Sequence, residues 1–200
     1  MRLEVLERGH GRTKRAVLWL LRRFGSLEPD DVLKTAMYRP EFFGRQWMRV
    51  IRSIMRGPSD WTPAERELFG TFVSRLNECR YCAGIHAHAA AGTREGGVTL
   101  DQLDRWPDGS LPPKIQAVLQ LLETVTRQPD AMTRADIDAV RAAGVGDEAI
   151  VDALRVAFLF NAVNRMANAF GYDFGDQSRA QEIAIAINRF NYRVPGFLLR

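Results

Sequence analysis

Apolar residues recur every three to four positions along most of the chain, which is the spacing of amphipathic helices. The clearest such stretches are residues 13–24, 41–55, 114–127 and 147–171. No stretch alternates apolar and polar residues with the period of two that is typical of strands. The pattern therefore predicts an all-α protein, a multi-helix bundle that is preceded by N-terminal helices.

Start and stop signals divide the pattern further. The sequence Thr62-Pro63-Ala64-Glu65 combines a capping hydroxyl, a proline at the first helical position and a glutamate at N3, and so predicts a helix that ends near Leu76. A new helix is expected to run to about Ala91. Gly171 is expected to end the last long helix. We predict one helical domain over residues 1–171, with a thiol-site core at about 58–171, and a C-terminal extension or arm over 172–200.

The helix that is expected to end near Ala91 carries the candidate catalytic residues. Cys79 and Cys82 are the two cysteines of the chain, and His86 follows four positions later. At about 100° per residue all three side chains share one helix face, whereas His88 points to the opposite side. Residues i and i+3 of a helix can form a disulfide, and the positive end of the helix dipole lowers a thiol pKa. The spacing predicts a dithiol–disulfide pair.

Other readings of the cysteine pair fit less well. Structural zinc could take Cys79, Cys82 and His86 as ligands, but it requires a fourth ligand and His88 lies on the wrong face. A thioredoxin relative would show a βαβ pattern, which the sequence lacks. The residues therefore predict neither a metal site nor a thioredoxin fold.

The composition of the chain is that of an ordinary globular protein. It has 200 residues, of which 46% are apolar and 26% charged, as in soluble globular proteins. Its N-terminus does not resemble a signal peptide, and the apolar run 16–21 is far shorter than the ~20 residues of a membrane span. We expect a cytoplasmic protein with no membrane partner.

The charge is uneven. Residues 1–56 hold 13 Lys and Arg against 6 Asp and Glu, within a chain of formal net charge +4. A basic segment permits a second hypothesis, a helical binding or regulatory protein that contacts nucleic acid. The two helices around Gly144 resemble a helix-turn-helix in spacing but are acidic, the wrong sign for phosphate contact. We therefore expect no nucleic-acid partner and interpret the basic segment as packing helices with a charged outer side.

The segment from Glu67 to His86 resembles the alkylhydroperoxidase D (AhpD) family of the carboxymuconolactone decarboxylase-like superfamily. A glutamate lies twelve positions before Cys79, the cysteines have C-x-x-C spacing, and a histidine lies four positions after Cys82. The resemblance extends over roughly residues 30–171. It departs from the pattern at Tyr81, where the best-studied members carry a second histidine. Tyrosine is not a cation at neutral pH, so stabilisation of a thiolate would depend more on His86 and the helix dipole.

The resemblance implies an AhpD-like bundle that assembles into homo-oligomers, commonly trimers or hexamers. It also implies reduction of a hydroperoxide or disulfide without a cofactor. Cys82 would attack the peroxide, Cys79 would resolve the sulfenic acid as a disulfide, and His86 with Glu67 would relay protons. A donor protein or a small thiol would reduce the disulfide. The alternative within the superfamily is a lactone-acid decarboxylase, although such relatives generally lack the thiol pair.

Two polar features need a structural explanation. On a helical wheel Glu67 lies opposite the apolar stripe of its helix, which alone predicts exposure. The small residues Gly70, Thr71 and Ser74 beside it would let another helix approach, however, and that favours a buried carboxylate. A polar stripe near the end of the long helix is expected to form structural hydrogen bonds; it consists of Asn161, Asn164, Arg165 and Asn168.

Overall fold

The structure is a computed structural model that describes residues 1–24, 29–93, 100–108 and 111–199. Within these ranges every regular element is a helix. The predicted all-α class is therefore confirmed.

Five helices form the N-terminal part of the chain. They are α1 (Val5–Arg8), α2 (Arg12–Phe24), α3 (Asp31–Tyr38), α4 (Pro40–Phe43) and α5 (Arg45–Arg56).

Seven further helices follow. They are α6 (Pro63–Leu76), α7 (Arg80–Ala91), α8 (Leu100–Asp104), α9 (Pro113–Arg127), α10 (Arg134–Ala142), α11 (Asp147–Phe170) and α12 (Gln177–Phe190), with 3-10 turns at Pro129–Ala131 and Gly196–Leu199.

One predicted helix is divided in the structure. The apolar stripe over residues 41–55 predicted a single helix, but the backbone leaves the helical region at Gly44 (φ −83°, ψ −134°), between α4 and α5. A side chain at this position would overlap the backbone of Pro40. Hydrophobic periodicity does not detect such a break, because glycine interrupts the backbone without interrupting the apolar stripe.

The predicted start of α6 is confirmed. The Thr62 hydroxyl accepts a hydrogen bond from the Glu65 N–H, and the Glu65 carboxylate accepts one from the Thr62 N–H. This reciprocal capping box satisfies two donors that the first turn of a helix would otherwise leave free. It fixes where α6 begins and thereby which of its side chains face inward.

Helix α6 lies at the centre of the bundle and is covered on all sides. Every residue from Arg66 to Ser74 is buried. Its apolar side packs into the main core with α5, α9 and α11. Its small-residue side contacts α7 and α11, as the predicted helix approach requires. There Ser74 pairs with Asn164 at 2.8 Å, and Gly70 lies against the ring of Phe160.

The segment after Gly171 packs against the bundle. Gly171 ends α11 in the left-handed conformation (φ 66°), and the chain then forms α12, which packs along α7. Residues of α7, the end of α11 and α12 share a second, smaller core that includes both cysteines. Residues 192–198 continue to the N-terminal helices, where Leu198 joins a third cluster with Leu18 and Met37.

None of the helices in the described ranges is long and apolar enough to cross a membrane.

Replacing Gly70 with alanine tests how closely α6 and α11 are packed. The added methyl group would overlap the Phe160 ring, and overpacking of this kind costs roughly 1–3 kcal/mol. We expect Gly70→Ala to lower the free energy of unfolding by about that amount in urea denaturation, despite the higher helix propensity of alanine.

The matched control is the double variant Gly70→Ala/Phe160→Leu, in which a smaller side chain faces the new methyl group. Adding Gly70→Ala to Phe160→Leu should lower the free energy of unfolding by less than adding it to the wild-type protein does. Wild-type stability of the single alanine variant would show that the two helices are not in close contact at Gly70.

Candidate functional site

A tight turn between α6 and α7 brings the cysteines to the start of α7. Glu78 adopts the left-handed conformation (φ 52°), and the Cys79 N–H donates to the Ser74 carbonyl at 2.8 Å. Cys79 is thus the N-cap residue of α7 and Cys82 its third helical residue. The expected position of both cysteines in the first turn is therefore correct to within one residue.

The two cysteines form a close dithiol. They lie 3.3 Å apart without a disulfide bond. Their residues are only 1% and 2% exposed. The thiols are therefore close enough to bond each other after a small movement and are shielded from bulk solvent.

Their shared hydrogen bond makes the two thiols unequal. The hydrogen bond from Cys82 lowers the pKa of Cys79; burial opposes this change, and the N–H groups of Cys82 and Tyr81 favour it. The same hydrogen bond raises the pKa of Cys82 well above its ordinary value, and burial and the charges of Cys79 and Asp30 act in the same direction. The first thiolate of the pair therefore forms on Cys79.

Glu67 and His86, which the sequence motif paired, are in direct contact. The Nδ1 atom of His86 lies 2.6 Å from Oε2 of Glu67. Glu67 has no exposed surface, so the exposure that the helical wheel alone predicted is wrong and the small-residue argument is correct. The Phe160 ring packs nearly perpendicular to the imidazole, at a centroid distance of 4.6 Å. The carboxylate of Glu67 and the ring of Phe160 therefore fix the position of the His86 imidazole.

Two residues that sequence reasoning missed complete the surroundings of Glu67. The other carboxylate oxygen, Oε1, contacts Nη2 of Arg56 at 2.6 Å and accepts a hydrogen bond from the Tyr192 hydroxyl at 2.8 Å. The Arg56 guanidinium also lies over the Tyr192 ring, 4.9 Å from its centroid, and donates to Asn188. No short motif links these positions to the cysteines, because Tyr192 lies 125 residues from Glu67 in the chain.

These contacts keep Glu67 ionised. Burial raises the pKa of its carboxyl, but His86, Arg56 and the Tyr192 hydroxyl together outweigh burial and lower that pKa below its ordinary value. An ionised carboxylate only accepts hydrogen bonds, so His86 donates from Nδ1. This arrangement leaves Nε2 as the nitrogen that can exchange a proton with another group.

A cavity of about 630 Å³ lies beside this site. Cys82, His86 and Tyr192 line it, together with apolar side chains from α5, α7, α11 and α12. Of the two cysteines, Cys82 is thus the one that a ligand in the cavity would meet. Tyr81 and Asp30 also belong to its wall.

The polar stripe of α11 is structural, as predicted. Asn164 bonds to Ser74 within the core, and Asn161 bonds to Asn77 and Thr126. Arg165 donates to Asn161, and Asn168 donates to the carbonyl of Asn77. These bonds connect α11 to the end of α6 and to α9, and they fix the turn that precedes the cysteines.

The other histidines stand apart from this cluster. His10 is buried and its ring contacts the Lys34 carbonyl at 2.9 Å, whereas His88 contacts Gln177. In the part of the chain that the structure describes, no group of three or more His, Cys, Asp or Glu side chains is arranged to hold a metal ion.

The central segment of the chain is similar to a known protein family. Residues 41–105, which span α4 to α8 and include Glu67, both cysteines and His86, match the carboxymuconolactone decarboxylase family. No curated protein is significantly similar to the chain in sequence.

Two solved structures share the fold over most of the chain. One, described as an alkylhydroperoxidase AhpD core, is an uncharacterised peroxidase-related protein from Ralstonia eutropha JMP134; it has a TM-score of 0.70 and 23% identity, covering 90% of this chain and 96% of that protein. The other is an uncharacterised peroxidase-related protein from Silicibacter sp. TM1040; it has a TM-score of 0.67 and 21% identity, covering 86% of this chain and 90% of that protein.

The acid stability of the protein tests the ionised state of Glu67. A carboxyl whose pKa is lower in the folded than in the unfolded protein stabilises the fold above its unfolded pKa, near 4.5, and this stability is lost as the pH falls through the folded value. We expect Glu67→Gln to flatten the decline of the free energy of unfolding below about pH 4.5, measured by urea denaturation at a series of pH values.

The matched control is Glu65→Gln, which removes a carboxylate from the same helix but leaves the Glu67 contacts intact. In this variant the free energy of unfolding should still decline below pH 4.5 nearly as steeply as in the wild-type protein. An equally steep decline in wild type and Glu67→Gln would contradict the lowered pKa.

Proposed function

We propose that this chain, whose central segment matches the carboxymuconolactone decarboxylase family, is a thiol-dependent peroxidase that reduces hydroperoxides through Cys79 and Cys82. The observation that carries the proposal is a close pair of buried thiols, 3.3 Å apart, of which Cys82 faces a ligand-sized cavity. In that cavity it is accompanied by an imidazole that a buried carboxylate orients. Each part of this arrangement has a role in the proposed cycle.

The first step is attack on the peroxide by Cys82. Its proton passes to Nε2 of His86, which lies one helical turn further along the same face. The sulfur electron pair then forms a bond to the outer peroxide oxygen while the O–O bond breaks. His86 returns the proton to the departing alkoxide, which leaves as an alcohol. The sulfur is oxidised to a sulfenic acid and the hydroperoxide is reduced.

The second step is closure of the disulfide by Cys79. Its lowered pKa favours the thiolate, which attacks the Cys82 sulfur as the S–O bond breaks. The departing hydroxide takes up one proton, equivalent to the one that Cys79 released on ionising, and leaves as water. A donor protein or a small dithiol then reduces the disulfide and is itself oxidised. Assembly into trimers or hexamers stays a prediction of the resemblance.

In this proposal Glu67 orients His86 and does not take up the proton. Arg56 and Tyr192 hold its carboxylate ionised, and proton transfer from His86 to Glu67 would leave the buried guanidinium without its counter-charge. The relay expected of His86 and Glu67 thus becomes a single proton transfer through Nε2 of His86, in which Glu67 stays a carboxylate. The fixed carboxylate is thus the third group of the site, the one that orients the base of a nucleophile–base pair.

The lactone-acid decarboxylase alternative has the name of the matching family in its favour. The cavity suits such a substrate less well, because a lactone acid is an anion and the wall is mainly apolar. The presence of the thiol pair also favours the redox function.

Single-cysteine variants test the proposed cycle. In stopped-flow mixing with cumene hydroperoxide and dithiothreitol as donor, Cys82→Ser should lose peroxide consumption by on the order of 100-fold or more, since the attacking atom is removed. With dithiothreitol left out, Cys79→Ser should consume one equivalent of peroxide without forming an intramolecular disulfide and should retain a sulfenic acid on Cys82, which dimedone traps for mass spectrometry.

The control variant is Ala83→Ser, which adds a hydroxyl to the same helix and keeps both sulfurs; it should react at close to the wild-type rate. Full activity of Cys82→Ser would refute the assigned nucleophile, and so would a dimedone adduct on Cys79 in the wild-type protein.

A further inference from the structure

One side of α2 leaves apolar side chains exposed to solvent. The helix packs into the third cluster through Leu18. On its outer side Trp19 is 59% and Leu20 48% exposed, and Ala16 is exposed as well. Residues three and four positions apart lie side by side on a helix, so Ala16, Trp19 and Leu20 form one continuous surface, which we call the α2 patch. Exposure of so large a ring as that of tryptophan is unusual, because its burial is favourable.

Arginines surround the α2 patch. They lie within one helical turn on either side of it and all are exposed; they are Arg12, Arg15, Arg22 and Arg23. Helix α2 contains no Asp or Glu. Its remaining cation, Lys14, donates to a carbonyl of α3 and so serves the packing of the helix. The α2 patch is therefore apolar at its centre and positively charged around its edge.

The exposed apolar residues of α11 form a different kind of surface. Phe158 is 63% and Val151 55% exposed, which makes them as accessible as Trp19. Charges of both signs lie beside them, since Arg155 pairs with Asp152 at 2.9 Å. Charge of a single sign around exposed apolar side chains thus distinguishes α2 from α11, and Phe158 provides a matched control.

A second copy of the chain is a poor occupant of the α2 patch. Pairing two such patches about a twofold axis would place the same arginines of both copies opposite each other, and like charges repel. A different protein partner would require a much larger surface, since stable interfaces take about 20–30 residues from each side. The α2 patch supplies only three apolar residues on a convex helix.

Nucleic acid and anionic lipid both offer the negative charge that the arginines require. Nucleic acid is bound mainly through its phosphates, and such contacts would leave Trp19 and Leu20 in water. An anionic lipid surface accepts both kinds of group: its headgroups pair with arginine, and the boundary beneath them accommodates tryptophan and leucine. The composition of the α2 patch therefore favours lipid.

We propose that α2 binds the surface of an anionic lipid membrane, with Trp19 and Leu20 inserted below the headgroups and the surrounding arginines at headgroup level. The absence of a membrane partner was expected because the chain lacks an apolar span, but binding at the surface requires none. The inference does not rest on the proposed function, since it involves neither the thiols nor the cavity.

Sedimentation with vesicles tests the inference on the reduced, full-length protein. At low salt it should bind vesicles of phosphatidylcholine mixed with phosphatidylserine at least about 50-fold more tightly than vesicles of phosphatidylcholine alone, since each arginine near an anionic surface contributes about fivefold. Raising the salt concentration to about 0.5 M should remove most of this difference, because salt screens the attraction.

Variants of the α2 patch locate the binding. Trp19→Ser should weaken binding to the anionic vesicles by about 10-fold, because the inserted ring is lost. Arg12→Gln/Arg15→Gln should weaken it by about 25-fold. Trp19→Phe should still bind, but it should lose the blue shift of tryptophan fluorescence that accompanies insertion of Trp19 in the wild-type protein.

Two matched controls change other parts of the surface. Phe158→Ser removes a similarly exposed aromatic ring from α11, and Arg105→Gln/Arg134→Gln removes the same charge from outside the N-terminal helices. Both should bind the anionic vesicles within about twofold of wild type. Far-ultraviolet circular dichroism identifies any variant that fails to fold, and the comparison of the two kinds of vesicle on the wild-type protein then decides the question.

The inference is overturned if the wild-type protein does not sediment with anionic vesicles at low salt, if it binds neutral vesicles as tightly, or if the folded patch variants bind with unchanged affinity. Binding of a random DNA duplex without vesicle binding would reassign the arginines to nucleic acid. Loss of oligomer mass in Trp19→Ser on ultracentrifugation would reassign the α2 patch to a contact between copies. Each of these results leaves the proposed thiol function in place.

Discussion

The buried carboxylate of Glu67 is the constraint on which the site depends. It has no exposed surface, yet its pKa is lowered, because Arg56, His86 and Tyr192 each contact it. These partners come from α5, from α7 and from the segment after α12. A buried charge must be paired, so the three parts of the chain are held in one arrangement around it. The imidazole that faces the cavity owes its orientation to that pairing.

The second constraint is the asymmetry of the thiols. Cys79 caps α7 and has the lower pKa, whereas Cys82 faces the cavity and has the raised one. The thiol with access to a ligand is thus not the one that ionises first. A cavity-side base is needed to take the Cys82 proton, and His86 is placed one helical turn away. Burial raises the pKa of Tyr81 well above its ordinary value, so this neighbour of Cys82 contributes no such base.

Local sequence signals predicted those parts of the structure that local physics determines. The Thr62–Glu65 capping box gave the start of α6, and the spacing of the cysteines and His86 placed them on one helix. The family motif joined Glu67 to His86. The helix break at Gly44 was not predicted, because the apolar stripe continues across it. Arg56 and Tyr192 were not predicted, because their contact with Glu67 forms only when distant parts of the chain pack together. No periodicity or spacing in the sequence indicates that packing.

The most direct test of the central claim is to count thiols and map disulfides after adding one equivalent of cumene hydroperoxide to the fully reduced protein, with no donor present. The account predicts the loss of both free thiols, release of one equivalent of cumyl alcohol, and an intramolecular bond between Cys79 and Cys82 in the peptide map. Two thiols that remain free while the peroxide persists would contradict it, and so would a bond formed only between separate chains.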